Sequence, residues 1–426
     1  MQSRYSEATE MLSKAKSQFE EIGNQLGAAQ CLQSLGNIHR MQFRYSEATE
    51  MLLKAKSQFE EIGNQLGASQ CLQRLGDIHW MQSRYSEATE MQSKAKIQFE
   101  EIGDQLGAAQ CLQSLGDIHQ MQSRYSEATE MLSKAKNQFE EIGDQLRATQ
   151  CLQSLGDIQQ IQSRYSQATE MLSKAKIQFE WIGDPLGAAQ CLRILGDIHR
   201  VQSRYSEATK ILSKAKIQFE EIGDPLGATQ CLQSLGDIHQ MQSRYNEASK
   251  MLTKAKSQFE EIGDLLGATG CLQSLGSIYQ MQSKYSEATE ILSKAKSQFE
   301  GIGDQVGAAQ CLQRLGDIHQ MHLGDIHRMQ FRYSEATEML SKAKSQFEEI
   351  GNQLGAAQCL RSLADTHQMQ FRYSEAIEML SKAKIQFEEI GDPLGVAQCL
   401  QSLGDIHQMQ SRYSEATDAV KGQESV

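Results

Sequence analysis

The chain has 426 residues, with 42 lysines and arginines against 54 aspartates and glutamates, a formal net charge of -12. That acidity excludes a sequence-independent phosphate-binding surface, and with it a general nucleic-acid binder. No apolar run approaches the roughly 18 residues needed to cross a bilayer, and the first thirty residues mix polar and charged types unlike a secretory signal, so the expected location is cytoplasmic and away from membranes.

Length alone would suggest two or three domains, but the chain repeats itself. Tyr5, Tyr45, Tyr85, Tyr125, Tyr165, Tyr205, Tyr245 and Tyr285 fall 40 residues apart; Tyr333 follows after 48, and Tyr373 and Tyr413 resume the spacing of 40. Met1 aligns with Met41, near the end of a first helix, so the chain is expected to open on an orphan second helix. One complete unit, Asp104 to Gly143, reads DQLGAAQCLQSLGDIHQMQSRYSEATEMLSKAKNQFEEIG.

Ala108, Leu112, Leu115 and His119 recur at helical spacing, flanked by Cys111 and Ile118, and predict a helix A near 105–121. The only three prolines, Pro185, Pro225 and Pro393, each follow an aspartate in GDPLG. Aspartate caps a helix N-terminus, and proline at the first helical position gives up an N–H that has no partner there. Gly107 lies inside this helix, but Arg147 takes its place in another unit, so no special backbone angle is expected.

Tyr125, Ala128, Leu132, Ala135, Phe139 and Ile142 then form one apolar stripe, predicting a helix B near 125–142. Glu130 and Lys134 pair on its solvent side, and Gly143 ends it in a left-handed cap. The short QSR connection makes A and B antiparallel neighbours, with small Gly116, Ala128 and Ala135 where they approach closely. A single hairpin cannot bury both its faces, so stacking completes the core. The expected fold is all-α, a solenoid of helix-turn-helix repeats. The ten cysteines, from Cys31 to Cys399, occupy one place in the repeat and form no CxxC pair. Stacked helices lie about 8–10 Å apart and a disulfide needs Cα atoms within about 7 Å, so the thiols are expected to be buried and reduced.

LGDIHQMH (315–322) is followed by LGDIHRMQ (323–330), an eight-residue tandem duplication that accounts for the spacing of 48. A helix running straight through would set His319, His322 and Asp325 on neighbouring turns within reach of one metal ion. Copying of an ordinary segment already explains them, and no metal is expected. Eight residues add about 12 Å to a helix and roughly 80° of rotation. The duplication is therefore expected to extend a helix A over 321–330 and to break the array into a long part, 1–320, and a short part, 331–426, whose last repeat is truncated.

Leu115-Gly116, Tyr125-x-x-Ala128 and Ala135 resemble the tetratricopeptide repeat signature, in units spanning essentially the whole chain. The 40-residue length and the IGDQLGAAQ junction are similar to the repeats of the Pins/LGN spindle-orientation adaptors, and the near-identity of the copies resembles repeat arrays of fungal nucleotide-binding receptor proteins. Leu112 stands where the family has an aromatic residue in mid helix A, and the closing proline is absent. The resemblance implies a right-handed α-solenoid superhelix that acts as a non-enzymatic scaffold, holding a peptide or partner segment in a concave groove lined by A helices.

Carried onto this sequence, the family's groove positions are Gln110, Gln113, Ser114, Asp117 and Gln120. The Asp117 row includes Asp77, Asp157, Asp197 and Asp237; the Gln113 row includes Gln73 and Gln153 and becomes Arg193 and Arg361. Along the Gln120 row stand Arg40, Trp80, Arg200 and Arg328, and along the Ser114 row Arg74, Ile194 and Arg314. Where the Pins-like adaptors typically have asparagine, an ionised aspartate only accepts hydrogen bonds, which points to basic or amide-donating partners. Tryptophan and arginine are the types that dominate binding energy at interfaces; the same variation also reads as drift on a solvated face, and both readings stay open.

Cys111 and His119 recur together, but eight helical residues rise about 12 Å, well beyond the ~3 Å a general base needs. No P-loop, dinucleotide fingerprint, HExxH or GxSxG is present. The chain is expected to be no enzyme and to need no cofactor. Two roles remain: a scaffold binding protein or peptide partners, or a spacer whose uncapped ends stack head to tail on other copies. A variant of the second is the repeat portion of a larger nucleotide-binding receptor-like protein.

Overall fold

A computed structural model of the chain describes residues 2–321 and 326–424. Those residues form twenty helices with no strand among them. The unit read above folds as the helices Gln105–Met121 and Tyr125–Ile142. Asp104 caps the first, its side chain accepting from the Gly107 N–H, and Pro185 and Pro225 sit just inside the helices that Asp184 and Asp224 cap. Gly143 closes helix B at φ +86°.

One core cluster shows why a hairpin needs its neighbour. Ala109 and Leu112 of helix A, Ala128, Leu132, Ala135 and Phe139 of helix B, and Ala148, Cys151, Leu155 and Ile158 of the next helix A pack together. Ile142, placed on the apolar stripe by its spacing, is 37 % exposed, because the cluster closes at Phe139. Gly107 has an ordinary helical backbone, as expected, yet a Cβ there would lie 2.6 Å from the Phe99 ring. Its smallness admits the preceding unit's phenylalanine. All ten cysteines are free and buried.

The chain divides into two compact units, Met1–Gln218 and Phe219–Val426. Within the second, the duplication is described in part. Helix A, Gln305–Met321, keeps its usual 17 residues, while the following helix runs from Ile326 to Ile350 and takes in the end of the second copy. The register of the hairpin is kept: a Cβ on Gly316 would lie 2.8 Å from Leu340 Cγ, much as one on Gly116 would lie 2.5 Å from Leu132 Cγ. Residues 322–325, and with them His322, Asp325 and the expected break, lie outside the described residues. His319 Nδ1 sits 3.4 Å from Glu335 Oε2. The last helix, Pro393–Glu424, runs on without the turn that elsewhere separates A from B.

Candidate partner-binding face

In the first unit each A helix touches the next A helix directly, and no two B helices among the described residues come as close. The A helices therefore form the tighter side of the stack. On Gln105–Met121 the residues Gln110, Gln113, Ser114, Asp117 and Gln120 are half-buried along one stripe, between the packed residues and solvent.

Part of that stripe serves the array itself. Gln73 Nε2 donates to Gln110 Oε1 at 3.1 Å, and Gln153 to Gln190 at 3.3 Å, so the glutamine row ties one A helix to the next. Gln113 is half-buried in the same row. Arg193 and Arg200 both reach Asp197 on their own helix, at 3.5 and 3.3 Å. In the second unit Ser274 Oγ donates to Asp237 at 3.2 Å, and Arg361 donates to Gln398.

Five of the residues expected in the groove converge. Arg40, from helix Gln25–Met41, Asp77 and Trp80, from Gln65–Met81, and Asp117 line one small cavity of about 130 Å³ with Ser114 and Gln92. Gln92 was missed because it belongs to a B helix, Tyr85–Ile102, whose stripe faces the core. Its signal in the sequence is MQSKAK where the other complete B helices have leucine at the second place. The side chain is 0 % exposed. It lies beneath Gly76, where a Cβ would come within 2.8 Å of it, and its Nε2 donates to the Gln73 carbonyl at 3.1 Å and to Asp77 Oδ1 at 2.9 Å.

Burial shapes the electrostatics. It pushes the Asp117 and Asp157 carboxyls up to about 7, the nearby Arg193 opposing the rise at Asp157. At Asp77 burial also raises the pKa, against the pull of Arg40, Arg74 and the Gln92 hydrogen bond. Near neutral pH Asp117 and Asp157 are thus partly protonated, and a protonated carboxyl donates as well as accepts. The acceptor-only character expected of them holds only above about pH 7. Burial also pushes the Cys111 thiol up to about 12, leaving little nucleophilic thiolate, and lowers the pKa of His119. No helix among the described residues is long and apolar enough to cross a membrane.

A family model for the tetratricopeptide repeat matches residues 69–141 and 319–384, and one for soluble NSF attachment protein, SNAP, matches 1–98 and 185–333. Each matches the chain twice, in stretches that are near copies of one another, so what both recognise is the repeated hairpin. No curated protein matches the chain in sequence. Among solved structures, the apo form of the quorum sensor NprR from B. thuringiensis is 12% identical with a TM-score of 0.58, the match covering 87% of this chain and 99% of that one. The Rap conjugation gene regulator of the plasmid pLS20, in complex with the Phr* peptide, is 15% identical with a TM-score of 0.55, covering 84% and 95%. A signal transduction ATPase with numerous domains and a tetratricopeptide repeat sensor, from Pyrococcus horikoshii, is 17% identical with a TM-score of 0.53; the match covers 82% of this chain and 54% of that one, so the chain spans about half that protein's length. At these identities the likeness is one of fold.

Proposed function

The chain belongs to the tetratricopeptide repeat proteins, and from that premise we propose that the A-helix face of residues 1–218 binds an extended or helical segment of a protein partner, without catalysis. The observation that carries this reading is the convergence of Arg40, Asp77, Trp80 and Asp117 on one cavity. A 40 % exposed tryptophan beside half-buried charges of both signs is the composition found where interfaces concentrate their binding energy. The Phr* peptide in the structure of the Rap conjugation gene regulator supports a peptide as occupant of such a fold. A second reading, the sensor array of a larger receptor-like protein, is favoured by the likeness to the repeat-bearing ATPase.

A peptide-library pull-down tests the proposal, with the full chain beside a copy carrying Asp117→Ala, Asp157→Ala and Asp197→Ala. Peptides enriched by the native chain and lost with the variant support the face as a reader. If both chains enrich the same peptides, or the native chain grows in mass with concentration and captures none, end-to-end association becomes the better account.

A further inference from the structure

The cavity beneath Trp80 is incomplete as built. Gln92 spends both amide hydrogens on the Gln73 carbonyl and the Asp77 carboxylate. Its Oε1 is left buried with no donor. Turning the amide over would set oxygen against two acceptors, so the orientation is fixed by its neighbours. Asp117, on the opposite helix, has neither a hydrogen bond nor an ion pair among the described residues. The lining carries Arg40 with Asp77 and Asp117, so whenever Asp117 is ionised one negative charge of the lining is unbalanced. Gln92 Oε1 and an ionised Asp117 both ask for an N–H donor carrying positive charge, while Arg40 Nε, also buried without a partner on this lining, asks for an acceptor such as a carbonyl of the bound segment.

Size narrows the class. About 130 Å³ is well below the roughly 300–1,000 Å³ of cofactor and small-molecule sites, yet several times the ~30 Å³ share of one water. It suits the end of one side chain. Met81 and Ile118 supply apolar walls for an aliphatic stem, and an indole beside a cation adds attraction.

We infer that this cavity receives a single lysine or arginine side chain of the bound segment and thereby sets the segment's register on the array. The inference rests on the reading of the A-helix face as a partner-binding surface. Register is a real difficulty for near-identical repeats, since a partner that fits one unit fits the next, 40 residues along. This combination occurs once in the sequence: Gln92 stands where the other units have leucine, or valine in the last, and Trp80 where they have glutamine or arginine. Charge-assisted hydrogen bonds to a buried acceptor and carboxylate distinguish the basic side chain from a neutral one of like shape.

Two measurements on the full chain test it. Trp181→Phe leaves Trp80 as the sole tryptophan, and its fluorescence is titrated with N-acetyl-lysine amide, N-acetyl-arginine amide and the neutral N-acetyl-norleucine amide. Saturation by the basic amides at least about tenfold tighter than by norleucine is expected, the tighter one naming the side chain. Gln92→Leu, the residue of the other units and so compatible with the fold, should abolish that preference, as should Asp117→Asn. An equal response to norleucine, or a preference that survives Gln92→Leu, overturns the inference. In the peptide library, the native chain should enrich a basic residue at one fixed position and the Gln92→Leu chain should not. The same basic preference in both overturns the register role while leaving the groove reading intact; capture by neither removes the groove reading, and the amide titration then decides the cavity alone.

Discussion

Ser69, Thr149, Thr229 and Thr269 occupy the place that Ala109 holds in its unit, and each shares its one O–H between the carbonyl four residues back and the Oε1 of a glutamine 29 residues on: Gln98, Gln178, Gln258 and Gln298. Where alanine stands instead, at Ala29, Ala109, Ala189, Ala309 and Ala357, the matching oxygens of Gln58, Gln138, Gln218, Gln346 and Gln386 are buried without a partner. Small differences between copies thus have a definite chemical effect inside the array. Thr149→Val keeps the shape and the β-branch but removes the donor, and should lower stability by about 1 kcal/mol in urea unfolding. The same change made at an exposed threonine such as Thr253 is the control. A second residue-scale effect lies in the A-to-B turn, where Ser123 is held at φ +58°. A side chain in that left-handed region costs about 1 kcal/mol, so Ser123→Gly should raise the urea midpoint; an unchanged or lower midpoint would show the strain to be relieved some other way.

Both turns of the repeat use one helix-ending motif. At Gly143 the Asp144 N–H reaches back to the Phe139 carbonyl at 2.8 Å, and at Ser123 the Arg124 N–H reaches back to His119 at 2.9 Å. The first was legible because glycine advertises a left-handed cap. The second was read only as a short connection, since serine gives no such sign and the conformation is imposed by the packing of the helices it joins. The helices themselves were legible because their apolar spacing recurs in unit after unit. Packing also bears on the duplication. The contacts of Gly316 on Leu340, and the cluster of Ala309, Leu312, Ala343 and Phe347, lie on either side of the extra residues. Deleting 323–330 restores the 40-residue spacing and leaves MHFRY in place of the MQFRY found at 41–45. The shortened chain should unfold within about 1 kcal/mol of the native one, because these flanking contacts remain in place. A large loss would show that the extra residues carry packing of their own.

For the molecule as a whole, the aspartate row links stability to pH. Asp117 and Asp157 are raised from about 4 in an unfolded chain to about 7. A raised carboxyl contributes stability that is complete below the unfolded value and is lost as pH climbs through the folded one. His79, half-buried, and buried His119 and His367 have pKa values lowered by desolvation and act in the opposite sense. The comparison must therefore isolate the acids. Asp117→Asn with Asp157→Asn should gain more over the native chain at pH 8 than at pH 6 in urea midpoint, and a constant gap would contradict the assigned shifts. At this scale the sequence showed which rows share a face, and Arg40, Asp77, Trp80 and Asp117 do meet there. It did not show that glutamines of that face would bind one another, nor that a B-helix residue, Gln92, would reach through under Gly76. Both depend on how closely successive hairpins stack, which no single unit records.

The most direct measurement is hydrogen exchange on the full chain, with and without the peptide it captures most tightly. Added protection is expected on the helices Gln65–Met81 and Gln105–Met121, and its loss in Gln92→Leu for a peptide with its basic residue at the fixed position. Protection centred instead on B helices, for example around the 82 % exposed Trp181, would place the partner on the other side of the array and contradict the A-helix reading.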